Sequence, residues 1–389
     1  MNNKFLVLTV SIALLLFNGN LISQTTLDYK DRVHPEISEK FMVVSQNYHA
    51  TEVGYKILEK GGNAVDAAVA VGFALAVILP RAGNLAGGGF MMVHLADKDK
   101  TIAIDYRETA PALAYKDVFL DKYGNPIVSK SLKTLSASGV PGTVAGLHYA
   151  LENYGSMSWE EVIKPAEKLA RKGIVVDDDM ARFFYKEQMF LSRTIETCRV
   201  YLKERCQPYL AGEIFIQEDL ANSLVYLQKH GKSGFYQGKI AKKLVAAMEQ
   251  GGGLITAKDL ADYRVKVEIP IRGTFRGYEI LTMPPPSSGG VHLIQMLNML
   301  ETMDLEGIQQ GSAAMIHLQA EIFKRAYADR STFLGDPAFI KVPSDGLTSK
   351  KYAQALSKNI QPTKITPSSQ IKAGKPNKYE SPDTTHFSV

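Results

Sequence analysis

The sequence predicts a mixed α/β fold, richer in helix than in strand, and three observations carry that prediction. Apolar residues recur at helical spacing in several long segments, most plainly over 143–153, 159–171 and 313–330. Two pairs of short segments rich in β-branched and aromatic residues, 90–95 with 101–106 and 265–272 with 278–283, flank polar or glycine-bearing turns. The composition, 45% hydrophobic and 22% charged over 389 residues, is that of a globular chain with a sizeable core. Nothing repeats at a fixed period, so one large unit is expected. The formal net charge of +5 is small for this length, and lysines and arginines are interleaved with acids, which argues against a nucleic-acid partner.

In chain order, Lys4 leads into an apolar run over 5–17 and a polar stretch over 18–20, the pattern of a secretory signal peptide over 1–23. The run is short of the roughly 20 apolar residues that span a bilayer, so an exported protein, periplasmic or extracellular, is expected, with no membrane span after signal removal. A core over 24–359 follows. Helical spacing over 49–60 stops at Gly61 and Gly62. Asn63 is then placed to cap a second helix, with Asp66 completing a capping box. That helix, 64–79, is apolar on nearly every face and ends at Pro80, so it is expected to be buried between layers. A glycine-rich turn over 83–89 precedes the first hairpin. Further helices are expected over 143–153, over 159–171 behind a Ser158/Glu161 capping box, over 218–230 and 238–250, and in a short piece capped by Thr256 and Asp259. The second hairpin turns over 273–277 and stops at Pro284, Pro285 and Pro286, which read as a rigid turn. Helices over 290–303, 313–330 and 350–358 complete the core.

Cys198 and Cys206 are the only cysteines. An oxidising compartment would let them pair, the alternative being two free thiols on a loop. No histidine lies near them and no metal-ligand spacing occurs among the histidines, so neither a metal nor another cofactor is expected.

From 360 to 383 proline, serine and lysine become frequent and large apolar residues scarce, the composition of a flexible linker. It runs into TTHFSV at 384–389, whose alternation and β-branched content read as the start of a strand. A threonine opening a strand behind a polar tether suits a nucleophile released by backbone cleavage. Once the bond before Thr384 is cut, its α-amino group, with an ordinary pKa of about 8, can take the proton of its own hydroxyl. By itself, Thr-Thr at a strand start reads as β propensity without chemistry.

Several separate stretches change that balance: GGNAVDAA at 61–68, AGNLAGGGF at 82–90, DYRETAP at 105–111, VPGTVAG at 140–146, MPPPSSGG at 283–290, AYADR at 326–330 and TTHFSV at 384–389. Together, and in this order, they resemble the γ-glutamyltranspeptidases over essentially the whole mature chain. The resemblance implies the αββα sandwich of N-terminal-nucleophile hydrolases, incomplete here because the small subunit lies beyond residue 389. It implies self-cleavage between Asp383 and Thr384, and attack of the freed Thr384 on γ-glutamyl amides such as glutathione, the ester being resolved by water or an amino-acid acceptor. Thr385 points to the other strand face and owns no new amine, so it is set aside.

The resemblance also assigns Arg107 to the substrate's α-carboxylate, a role suited to a guanidinium that donates two parallel hydrogen bonds. Without it, an ion pair with Glu108 or another acid is the simpler reading. The glycines at 87–89 precede a strand and lack a following Gly-Lys-Ser/Thr, so they read as room for close packing rather than a phosphate cradle. His386 reads as a hydrogen-bonded core residue, since the terminal amine already supplies the base. The expected partners are the small subunit of the same precursor and small γ-glutamyl donors. A chain of these residues alone should be inactive, because the family's oxyanion-binding amides come from the small subunit. The competing readings are an acylase of the cephalosporin or glutaryl type and a non-catalytic secreted binding module.

Overall fold

Asn47 and Asn63 set the first two helices. The computed structural model describes residues 37–380; the expected signal peptide, Asp383, Thr384 and the strand over 384–389 lie outside the described residues. Contacts divide the chain after Met42, and all elements below belong to the larger unit, Val43–Val389. The Asn47 side chain accepts from the His49 backbone at the start of α1 (Tyr48–Glu59), which Gly61 terminates at φ +90°. Asn63 and Asp66 form the expected capping box of α2 (Ala64–Ile78), a helix buried on most of its faces. The Asp66 carboxylate is fully buried and accepts from the backbone of Asn63, Ser156 and Met157 and from the Ser156 hydroxyl. These bonds outweigh burial, which by itself would raise its pKa, and hold the carboxyl below its usual range.

Strands β1 (Phe90–Leu95) and β2 (Lys100–Asp105) pair antiparallel from Phe90 opposite Asp105 to Leu95 opposite Lys100, the first expected hairpin. Helix α3 (Val128–Lys133), which the sequence reading did not foresee, precedes α4 (Thr143–Tyr154) and α5 (Trp159–Lys172), the last with its Ser158/Glu161 box. Also unforeseen are the short hairpin of β3 (Ile174–Val175) with β4 (Ile214–Phe215), and α6 (Asp178–Leu191) and α7 (Ile195–Tyr201) between them. Cys198 and Cys206 are joined by a disulfide with a Cα separation of 5.3 Å. Helix α8 (Glu218–Tyr236) breaks at Gly231, just past its expected end, and resumes for one turn. Helices α9 (Lys239–Gly251) and α10 (Ala257–Asp262) follow, the latter capped by Thr256 and Asp259.

The strand expected over 265–272 is two strands in different sheets. Strand β5 (Lys266–Glu268) pairs with β2, whereas β6 (Ile271–Phe275) forms a separate hairpin with β7 (Tyr278–Thr282). Pro270 lies at the break; it has no N–H to continue a ladder. The turn is also tighter than expected: Arg276 and Gly277 carry it at φ +50° and +87°, while Gly273 lies inside β6, where a Cβ would come within 2.7 Å of Ile294.

Helices α11 (Ser288–Glu301), α12 (Ala313–Phe333), α13 (Ser344–Thr348) and α14 (Lys350–Ser357) pack around two small apolar clusters, separate from the large one that runs from Ala50 to Tyr263. Among the described residues no helix is long and apolar enough to cross a membrane.

The linker expected over 360–383 is held at several points over its described part. The His317 ring donates to the Gln361 carbonyl, Lys324 to the Thr366 carbonyl, and the Thr366 N–H to Glu321. Farther on, the Gly374 N–H donates to Asp329 at 2.7 Å, and Glu380 accepts from the Gly346 N–H at 2.5 Å. Composition predicted mobility because it registers apolar side chains, and these anchors are mostly backbone groups of the linker.

Candidate active site

Tyr106 is the hub on which three of the motif stretches, 82–90, 105–111 and 140–146, meet. Its N–H and C=O pair with Gly89, the carbonyl of Gly87 accepts from the N–H groups of Gly142 and Thr143, and Thr109 pairs with Val140. A Cβ at Gly142 would lie 1.9 Å from the Tyr106 carbonyl oxygen, and one at Gly146 would lie 2.0 Å from the Tyr106 ring. Only glycine at both positions lets the start of α4 close on this residue. Burial pushes the Tyr106 phenol up to about 12.

Arg107 follows as the first exposed side chain beyond β2. Its backbone is fixed from both sides: the N–H donates to the buried Asp105 carboxylate at 2.9 Å, and the Tyr263 hydroxyl donates to its carbonyl at 2.8 Å. Tyr263 stacks on Tyr236 with ring centroids 5.8 Å apart, and Tyr236 in turn donates to the Pro141 carbonyl. Burial raises both of these phenols well above their usual value. The site thus rests on a rigid aromatic base that contributes no charge near neutral pH.

Among the described residues the guanidinium meets an aromatic ring and no carboxylate. Its central carbon lies 5.8 Å from the centre of the Phe90 ring, and among the described residues no carboxylate lies within ion-pair distance of it. The simpler reading, an ion pair with Glu108, is therefore not what these residues form. Arg107 lines a cavity of about 270 Å³ with Arg264 and Lys266 on one side of the charge balance and Asp105, Glu108 and Asp336 on the other. Such a wall can receive a small zwitterion or anion: the bases bind carboxylate, and the acids bind an ammonium.

Pro286 also reaches this cavity. The Pro285–Pro286 peptide is cis, and just beyond it Ser287 caps α11 and Ser288 accepts from the Arg330 side chain. The stretch at 105–111 therefore lines the cavity with those at 82–90 and 140–146 packed behind it, and Pro286 brings in the stretch at 283–290, which Arg330 of 326–330 holds through Ser288. The stretch at 61–68 serves helix capping away from the cavity. Sequence reasoning singled out Arg107 but missed Tyr263, Arg264, Lys266 and Asp336, which come from distant segments. One signal was present: Gly142 and Gly146 fall on one face of a helix, as a close approach requires.

The family model for gamma-glutamyltranspeptidase matches residues 50–389. A glutathione hydrolase proenzyme of Escherichia coli is 47% identical over 92% of this chain, and an acylase proenzyme of a Pseudomonas species is 38% identical over 93% of it. The chain spans 62% of the length of the first relative and 65% of the second. A crystal structure of Helicobacter pylori gamma-glutamyltranspeptidase superposes with a TM-score of 0.86 at 43% identity, covering 90% of this chain and 100% of that one. The expected fold is thereby shown, and the chain belongs to the γ-glutamyltranspeptidase family.

Proposed function

We propose that this chain is the large-subunit part of an exported γ-glutamyltransferase and glutathione hydrolase that matures by self-cleavage before Thr384. The observation that carries the reading is the unpaired Arg107 guanidinium in a small, charged cavity assembled from the family's motif stretches. In maturation the Thr384 hydroxyl attacks the Asp383 carbonyl, the Asp383–Thr384 C–N bond breaks, and an ester forms. Water then hydrolyses the ester, leaving a carboxylate on Asp383 and a free amine on Thr384. In turnover that amine accepts the hydroxyl proton as oxygen attacks the γ-carbonyl, and it returns the proton to the departing amine. Arg107 holds the donor's α-carboxylate meanwhile, so that a large part of the barrier is met by orientation. Water or an amino acceptor resolves the γ-glutamyl ester.

The test uses the full precursor, including the residues encoded after 389. Wild type should yield two fragments, the second beginning at Thr384, and should hydrolyse γ-glutamyl p-nitroanilide; Thr384→Ala should stay as one inactive polypeptide. Continued cleavage in that variant would remove Thr384 as nucleophile. The acylase relative favours one rival reading, an acylase. Preference for a glutaryl amide over the γ-glutamyl anilide would decide for it.

A further inference from the structure

Asp329 is wholly buried on α12, and each of its oxygens is engaged. Oδ2 accepts from Gln295 at 2.6 Å and from the Tyr352 hydroxyl at 2.7 Å, while Oδ1 is left to the Gly374 N–H at 2.7 Å. Gly374 can come this close because it has no side chain; a Cβ there would sit 2.1 Å from the Tyr352 hydroxyl oxygen. The Tyr379 ring lies 5.3 Å from that of Tyr352, Pro376 is buried, and Glu380 takes the Gly346 N–H. A buried carboxylate without a cationic partner is an expensive way to fill a core, and a leucine-sized apolar group would serve packing as well. What the carboxylate adds is a grip on one stretch of backbone.

We propose that Asp329, Tyr352 and Glu380 form a clamp that positions the chain for self-cleavage before Thr384, an inference that rests on the functional reading above. Glu380 precedes Thr384 by four residues, so with the clamp closed the scissile bond stays within about 14 Å of Glu380, the reach of an extended chain. Without the clamp, the next fixed point upstream is Thr366, and the nucleophile must be found at the end of a much longer tether. These three are positioning residues: none of them lines the substrate cavity.

The clamp predicts a graded response in the full precursor. Tyr379→Ala combined with Glu380→Ala removes both the ring contact to Tyr352 and the Gly346 anchor, which frees residues 377–384 in place of 381–384, and the closure entropy of the longer tether should slow self-cleavage about threefold. Adding Asp329→Leu, which leaves no oxygen for the Gly374 N–H, loosens the linker back toward Thr366 and should slow cleavage further, to about tenfold. Glu380→Gln keeps an oxygen for the Gly346 N–H and should cleave at the wild-type rate. Cleavage is followed on gels from purified uncut precursor, with the melting temperature of each variant and with kcat and KM per matured molecule. The expected result is slowed cleavage with unchanged melting and unchanged kcat and KM once matured. Should the variant that includes Asp329→Leu fail to fold, the comparison of Tyr379→Ala/Glu380→Ala with Glu380→Gln decides alone. Wild-type cleavage rates in folded variants, or a loss that only follows melting temperature, would overturn the clamp. A wild-type precursor that never cleaves would overturn the reading of Thr384, and the clamp with it.

Discussion

Arg107 and Glu321 show how the same kind of charge serves different ends. Arg107 is held by its backbone, and among the described residues no carboxylate pairs with its tip. If it binds a carboxylate bidentately, Arg107→Lys keeps the charge but loses the fork, and Arg107→Ala loses both. In the matured enzyme the alanine variant should lose about 2–3 kcal/mol of donor binding, seen as a KM for γ-glutamyl p-nitroanilide raised about 30- to 160-fold, with lysine between. A KM unchanged in both variants would remove Arg107 from the substrate site. Glu321 is instead consumed by structure. Burial raises its pKa, but hydrogen bonds from Lys324, Arg325 and the Thr366 backbone outweigh burial and hold it at about 2. Because the folded value lies below the unfolded one, near 4.5, its contribution is complete above that pH and is lost as pH falls toward 2. The stabilisation at neutral pH is on the order of 3 kcal/mol. Denaturant unfolding of wild type and Glu321→Gln between pH 6 and about 2.5 should show the wild-type advantage shrinking with acid; parallel curves would contradict it.

The elements differ in how far local signals determine them. Asn63 and Asp66 announce α2 because a capping box needs only residues three apart, and the structure adds that Asp66 also gathers Ser156 and Met157. Asn63→Ala should therefore cost about 1 kcal/mol, the ordinary value of a cap. Asp66→Ala should cost about 3–5 kcal/mol, since it strands buried donors from two segments. Urea midpoints for the two variants would check the ratio. By contrast, the split at Pro270 was not legible as a change of sheet. The proline marks an interruption, but which partner each half takes depends on β2 and β7, both remote in sequence. Helices α6 and α7 escaped for a related reason: their polar, cysteine-bearing stretch gives weak periodicity, and their apolar residues find partners such as Phe215 only in the folded chain. The linker escaped because Asp329 and Tyr352, not its own composition, supply its anchors.

Across the whole molecule, the apolar interior is divided between one large cluster over the first two thirds of the chain and two small ones under α11 to α14. The motif stretches were legible as a set through the family resemblance, and three of them, 82–90, 105–111 and 140–146, meet around Tyr106, where glycine is demanded by geometry; the cavity's other charges were not legible, because nothing local marks them. The single tryptophan, Trp159, belongs wholly to the large cluster. Its indole N–H donates to the Leu227 carbonyl, with Phe73 and His148 edge-on at 5.2 and 5.0 Å. Intrinsic emission therefore reports one interior and is blind to the other. If the smaller clusters yield first, far-UV ellipticity in urea will begin to fall while the indole spectrum stays native, and coincident curves would mean that both interiors melt as one. Placed where it is, the one indole works as a gauge fitted to half the machine.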